Sequence, residues 1–231
     1  MTLAVSLLVA VVCCSMSQEA PKPQPFLMFF TKGDGTRPQG EELTAVTQSH
    51  FANMAAQAEA GRLFAAGPLA DPTEVRRGIT VVTANDRNEV PKLFTADQFV
   101  QRGIMKVEAA PWDVDLAKFD PKVDPGSIAE HRLVLWRRGM GMSPETPAMH
   151  ESHRTLINGM AASHGLAVWG TLGPSEDPTF AKVSEAAIFV GKDTAGIEEA
   201  LAKDLMVQRH LLEIEVIPLW MSKGVVKPSG G

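Results

Sequence analysis

The chain has 231 residues, a formal net charge of −5 and only two cysteines. A hydrophobic share of 45% against 21% charged residues excludes a disordered chain and suits a folded globular one. The acidic balance argues against a nucleic-acid partner, because phosphate binding needs a basic face and the basic residues here only pair, at Arg76-Arg77 and Arg137-Arg138.

From the N-terminus, residues 3–14 are almost wholly apolar and no charge precedes Glu19. That stretch is too short to span a bilayer and suits the core of a signal peptide, with small Ser15 and Ser17 predicting cleavage after residue 17. The protein is therefore expected to be exported, to a periplasmic or extracellular space, with no membrane span. No basic residue precedes the apolar core, a departure from the usual pattern, and a buried N-terminal strand or helix is the competing reading. Cys13 and Cys14 both lie in this segment; Val12 stands where a lipid-anchor motif wants a small residue before Cys13. After cleavage no cysteine remains, which removes disulfides, thiolate metal sites and thiol nucleophiles from the chemistry available. Residues 18–25, with three prolines, read as an extended leader.

Short aromatic and aliphatic runs then predict a strand over 26–31, followed by a Gly- and Pro-containing loop over 33–40. Leu43, Val46, His50, Met54 and Ala58 recur at helical spacing. Strands are predicted over 63–67 and 78–83, a second helix over 89–101 and a last strand over 104–110. Met105, Val107 and Ala109 give that strand one wholly apolar face, suited to lie under helices, while Ile104, Lys106 and Glu108 give it a mixed one. A proline-containing linker over 115–130 leads into the same order again: strand 132–137, helix with Met149, His153, Leu156 and Met160, strands 166–172 and 186–191, helix 194–208, strand 211–217.

The second set is a duplicate of the first. Asp97, Val100, Gln101, Arg102, Glu108 and Pro111 recur at a shift of 107 as Asp204, Val207, Gln208, Arg209, Glu215 and Pro218. Ser49, His50, Leu63, Gly67 and Leu69 recur at a shift of 103 as Ser152, His153, Leu166, Gly170 and Leu172. The predicted fold class is α+β: two tandem ferredoxin-like βαββαβ units. Each unit alone would leave one sheet face bare, so the pair is expected to pack as a dimer within one chain, leaving room for higher oligomers.

The first unit, with "GRLFAAGPLADP" and "FVQRGIMKVEAAPWDV" after a His-bearing helix, resembles the YCII-related domain over residues 26–114. Residues 131–221 resemble it in more diverged form, with Gly170-Thr171-Leu172 in place of Gly-Pro-Leu and the tail over 222–231 beyond it. The resemblance implies the dimeric α/β-barrel superfamily, whose lactone isomerases, dehydrochlorinases and cofactor-free monooxygenases share proton transfer. It also implies a pocket in which a helix-borne His meets an acid after the Gly-Pro-Leu strand, here His50 and Asp71. A carboxylate that orients an imidazole leaves a base poised near neutrality; the competing reading is a buried His satisfied by a carbonyl or water. His153 and Asp177 are the second-copy counterparts, expected to be the degenerate pair because three more residues separate them. Arg102 and Arg209 are candidates for holding an anionic substrate, or else structural partners of Glu108 and Glu215. His150, His153 and His164 fix no third ligand by spacing, so no metal is expected. No Gly-rich phosphate loop is present, so no cofactor is expected either. The functional expectation is an isomerase-, lyase- or dehydrochlorinase-type acid–base enzyme for a small cyclic or carboxylated substrate; the alternative is a non-catalytic module binding a small ligand or a protein.

Overall fold

The computed structural model describes residues 22–228; the expected signal peptide, its cleavage point and both cysteines lie outside the described residues. The first unit runs β1 (Gln24–Lys32), α1 (Gly40–Glu59), β2 (Leu63–Pro68), β3 (Arg76–Ala84), α2 (Gln98–Gln101) and β4 (Met105–Asp113). The second repeats it as β5 (Ile128–Arg138), α3 (Pro147–His164), β6 (Leu166–Leu172), β7 (Val183–Val190), α4 (Thr194–Leu201), α5 (Leu205–Gln208) and β8 (Leu212–Ser222).

The strands pair antiparallel in the order β2-β3-β1-β4-β6-β7-β5-β8. The two units join where Trp112 and Asp113 of β4 pair Leu172 and Thr171 of β6. At the other edge Leu69 bridges Leu219, and the Ala70 N–H donates to the Pro218 carbonyl at 3.0 Å, so the ladder closes into a barrel. Closure satisfies the edge strands that two separate sheets would expose. It also explains the glycine shared by the two copies of the Gly-x-Leu motif. A Cβ on Gly67 would collide with the Trp220 carbonyl at one seam, and a Cβ on Gly170 with the Asp113 carbonyl at the other.

Alternation along the strands sorts side chains into three layers. Leu27 and Phe29 of β1 meet Leu133 and Leu135 of β5, with Ile79, Val81, Ile217 and Leu219, in one interior cluster shared by both units. Phe26, Met28 and Phe30 face outward with Ala109 under the helical layer of the first unit. Val134 and Trp136 do the same under α3 and α4. β1 and β5 are thus buried on both faces, which is why their sequences read as unbroken apolar runs. Each fully buried large side chain contributes roughly 1.5–3 kcal/mol. The apolar face expected for β4 lies under the helices, as Met105, Val107 and Ala109 pack into the same outer cluster.

Two boundaries differ from the sequence expectation. The single second helix is broken in both units: two 3₁₀ turns (Arg87–Glu89, Pro91–Phe94) precede α2, and α4 and α5 are separate. Asp97 and Asp204 cause the breaks. Each takes an extended backbone, ψ 118° and 126°, and caps the short helix after it. The linker is not a loose tether either. Phe119 bridges Val226, and the Asp120 N–H donates to the Val225 carbonyl at 2.8 Å, folding linker and tail against the barrel. No described helix is long and apolar enough to cross a membrane.

Candidate functional site

α1 carries Glu41 and Glu42 in its first turn, where carboxylates oppose the helix dipole favourably. Val46 is its buried apolar anchor, and Asn53 and Gln57 are buried too. Their side-chain amides donate to the Leu93 carbonyl at 3.1 and 2.8 Å, clamping α1 to the 3₁₀ turn. This clamp presents His50 to the start of α2.

There the His50 Nδ1 lies 2.5 Å from Asp97 Oδ2. The other oxygen, Oδ1, accepts the Phe99 N–H at 2.9 Å as the helix cap. One carboxylate therefore does two jobs, and the cap fixes its orientation toward the imidazole. Asp97 is wholly buried while His50 keeps 18% of its side chain exposed. Phe30 and Phe99 meet the His50 ring edge-on, at centroid distances of 5.1 and 5.7 Å. No hydrogen bond to a described residue engages His50 Nε2. His50 lines a cavity of about 870 Å³ whose walls are mostly apolar, among them Met54, Ala66, Ile79 and Met105, with Gly78 beside them. Linker residues Pro121, Val123 and Pro125 and β8 residue Trp220 complete the wall.

The expected pairing of His50 with Asp71 is not what the structure holds. Asp71 is buried and salt-bridged to Arg76, Nε to Oδ2 at 2.9 Å and Nη2 to Oδ1 at 3.1 Å, and it also accepts the N–H groups of Thr73 and Arg76. Arg76 bonds Glu215 as well, and its guanidinium lies 5.8 Å from the ring centroid of the interior Phe29. Burial pushes the Asp71 carboxyl up, but these donors outweigh it and hold the group well below the usual carboxylate range. The reason for the mispairing is the sheet itself. Asp71 serves the barrel interior, whereas His50 is on the helical layer outside.

Asp177 likewise does not pair with His153. It accepts the Ala109 N–H at 2.8 Å and pairs with Arg87 at 2.5 Å, tying the second unit to the first. His153 bonds Asp204 through Nδ1, the repeat of the Asp97 arrangement, with Asp204 Oδ1 accepting the Met206 N–H at 2.9 Å. Its Nε2 is taken by Glu185 Oε2 at 3.0 Å, which also accepts the Trp169 indole N–H at 2.7 Å. Burial lowers the His153 pKa, but the two carboxylates prevail and raise it to about 9, so the ring is an imidazolium near neutral pH.

Arg102 bonds Glu42 at 2.5 Å and Gln98 at 3.0 Å on the surface, and Arg209 is exposed; neither lines the cavity. Nor do they pair with Glu108 and Glu215: Glu108 accepts from Thr31 and Thr179, and Glu215 from Arg76 and Arg137. His150 pairs with Glu145 at 3.1 Å, and among the described residues no three His, Cys, Asp or Glu side chains are grouped to hold a metal ion. The residue that sequence reasoning missed is Asp97. Its signal was present, because Asp97 and His50 both belong to blocks that recur together in the second unit.

The family model of the YCII-related domain matches residues 25–113. No curated protein sequence matches the chain. Among solved structures, a candidate chlorite dismutase superposes with a TM-score of 0.54 at 9% identity, over 86% of this chain and 94% of its own. A haem-binding protein from Thermus thermophilus superposes with a TM-score of 0.50 at 9% identity, over 88% and 94%. At such identity the likeness is one of fold, and it extends over both units. The chain therefore carries a YCII-related domain at residues 25–113 within a dimeric α/β barrel built from a single polypeptide.

Proposed function

We propose that the chain is an exported, cofactor-free acid–base enzyme that moves a proton on a small cyclic or carboxylated substrate, with His50 as the base. The observation that carries the reading is the unengaged Nε2 of His50 beside a large apolar cavity, with Nδ1 fixed by a buried carboxylate. A carboxylate at Nδ1 accepts a hydrogen bond from the ring N–H, which leaves the lone pair on Nε2. Nε2 then takes a proton from the substrate, Asp97 stabilises the imidazolium that results, and the same proton returns to a second substrate atom or to a leaving group. The mostly apolar walls offer few protein groups that would compete for that proton. The N-terminal apolar segment supports export, and a secreted protein whose mass lacks residues 1–17 is the expected observation.

The test works before the natural substrate is identified. Incubating the protein in D₂O with a panel of lactones, cyclic ketones and chlorinated cyclic acids reports proton abstraction as deuterium incorporation by NMR. Exchange on one class that is lost in His50→Gln is expected. Exchange that persists in His50→Gln, or none across the panel, removes the reading.

A second reading rests on the same nitrogen: the site binds without reacting. An imidazole whose Nδ1 is held by a carboxylate also suits haem iron, so His50 would hold a haem through Nε2, and that haem would supply reversible binding of a small ligand. Among the described residues His50 is the ligand that fits, since its Nε2 is unengaged beside the cavity. A Soret shift on adding hemin that disappears in His50→Gln would favour this reading over proton transfer.

A further inference from the structure

We infer that the cavity takes an apolar molecule bearing one carboxylate, and that Arg77 is the residue that binds that carboxylate. The inference rests on the small-molecule reading of the His50 site and names its substrate class. Among the described residues that line the cavity, Arg77 is the one Arg or Lys. The one acid there, Glu59, is exposed near the end of α1.

The dipeptide Arg76-Arg77 has two different fates. Arg76 is saturated inside the barrel by Asp71 and Glu215. Among the described residues the Arg77 guanidinium has only a 4.0 Å contact, with Glu74, whose side chain is 75% exposed. An exposed pair at that distance holds a guanidinium with at most about 1 kcal/mol, so an incoming carboxylate displaces it readily. Against an apolar wall a bidentate guanidinium–carboxylate pair is stronger than it would be in open water, and its planar fork fixes the orientation of what it holds.

The second unit supplies an independent contrast. Phe30 pairs Gly78 in β1–β3 as Trp136 pairs Glu185 in β5–β7. The residues just before, Arg77 and Ser184, are therefore equivalent. Ser184 donates to the Trp136 carbonyl at 3.4 Å. A cation stands at this strand position in the unit whose cavity is open to its histidine, and a serine stands there in the unit where that histidine is sealed. A ligand anchored by its carboxylate at Arg77 lays its apolar body along the cavity toward His50, which converts a diffusing carbon acid into an oriented one.

Calorimetric titration of the full chain with naphthalene-2-carboxylate and naphthalene-2-carboxamide tests this. The carboxylate should bind at least ~10-fold more tightly than the amide, since a charge-assisted pair exceeds a neutral hydrogen bond. That preference should vanish in Arg77→Met and survive in part in Arg77→Lys. Equal binding of the two probes, a preference that persists in Arg77→Met, or no binding of either at millimolar concentration overturns the assignment. Arg77→Lys keeps the charge, so loss of binding in Arg77→Met with retention in Arg77→Lys separates the anchor from a folding defect. Because the readout is equilibrium binding, failure of deuterium exchange leaves the carboxylate preference standing, and the two proposals fail separately.

Discussion

The His50 and His153 sites began as copies and differ now at two neighbouring strand positions. In both, a helix-borne His meets an Asp that caps the next short helix. Strand register makes Ala66 the equivalent of Trp169 and Gly78 the equivalent of Glu185. Where the first unit has a methyl group and a hydrogen, the second has an indole and a carboxylate. Trp169 and Glu185 fill the space and bond each other, and Glu185 takes the ring nitrogen that would do chemistry. What is left in the second unit is a smaller cavity of about 340 Å³, lined by Asn158, Lys118 and Trp169 but not by His153. A repeated dyad is therefore not a repeated environment. Whether its histidine keeps an unengaged ring nitrogen beside a cavity or is a buried cation is set by two side chains that belong to neither member of the dyad.

The largest expected effect breaks this comparison outright. His50→Gln should lower turnover of any substrate found by the exchange screen by about 10²- to 10⁴-fold, the usual contribution of a positioned general base. His153→Gln should leave kcat/KM within about twofold, since its ring nitrogens are both engaged elsewhere. The reverse result would mean that the sealed site is the working one.

Next in size is a transplant of the second unit's plug. Ala66→Trp places an indole in the His50 cavity and should weaken binding of naphthalene-2-carboxylate by about 100-fold, because a filled pocket excludes the ligand that shape complementarity would otherwise hold. Calorimetry on the folded variant checks this, and unchanged affinity would show that the ligand sits elsewhere.

Asp97→Asn sharpens the division of labour within the first dyad. Asparagine caps a helix about as well as aspartate, so the thermal melt should move by only a few degrees. It cannot offer a carboxylate to Nδ1, so kcat should fall by about 10- to 100-fold with little change in ligand affinity. A large loss of melting temperature with intact kcat would reassign Asp97 to structure alone.

The smallest effect concerns stability and pH in the second unit. The folded-state pKa of His153 is raised to about 9 from an ordinary value of 6.5, so the ring binds its proton more tightly when folded. Its contribution is fully present below pH 6.5 and is lost as pH rises through about 9. The full span corresponds to at most about 3 kcal/mol. Denaturant unfolding followed across this range should show the decline in the wild type and a flatter curve in His153→Gln. An equally steep fall in both would place the titrating group elsewhere.

Much of the architecture was legible in the amino-acid sequence because the repeat is chemical as well as geometric. Apolar runs at 26–31 and 132–137 marked the two central strands, and the recurrence of Asp97 through Pro111 marked the second unit. The bare face of a lone ferredoxin-like sheet then required the pair to pack together, as the shared interior cluster around Phe29 and Leu135 does. His50 and His153 were identifiable as polar residues on core-facing helices. The partner was misread because periodicity ran a helix through Asp97, where a side chain would have no reason to turn back toward α1. A helix cap depends on one extended residue, ψ 118° at Asp97, and that is a local break which hydrophobic spacing does not register. Asp71 was expected from the family resemblance, as the acid after the Gly-Pro-Leu strand, but the sheet lies between it and His50, and only the tertiary structure decides which side of a sheet a loop residue serves. The cavity is of the same kind. It exists because Ala66 and Gly78, 12 positions apart in the chain, come together across β2 and β3 with volumes too small to fill the space beneath His50.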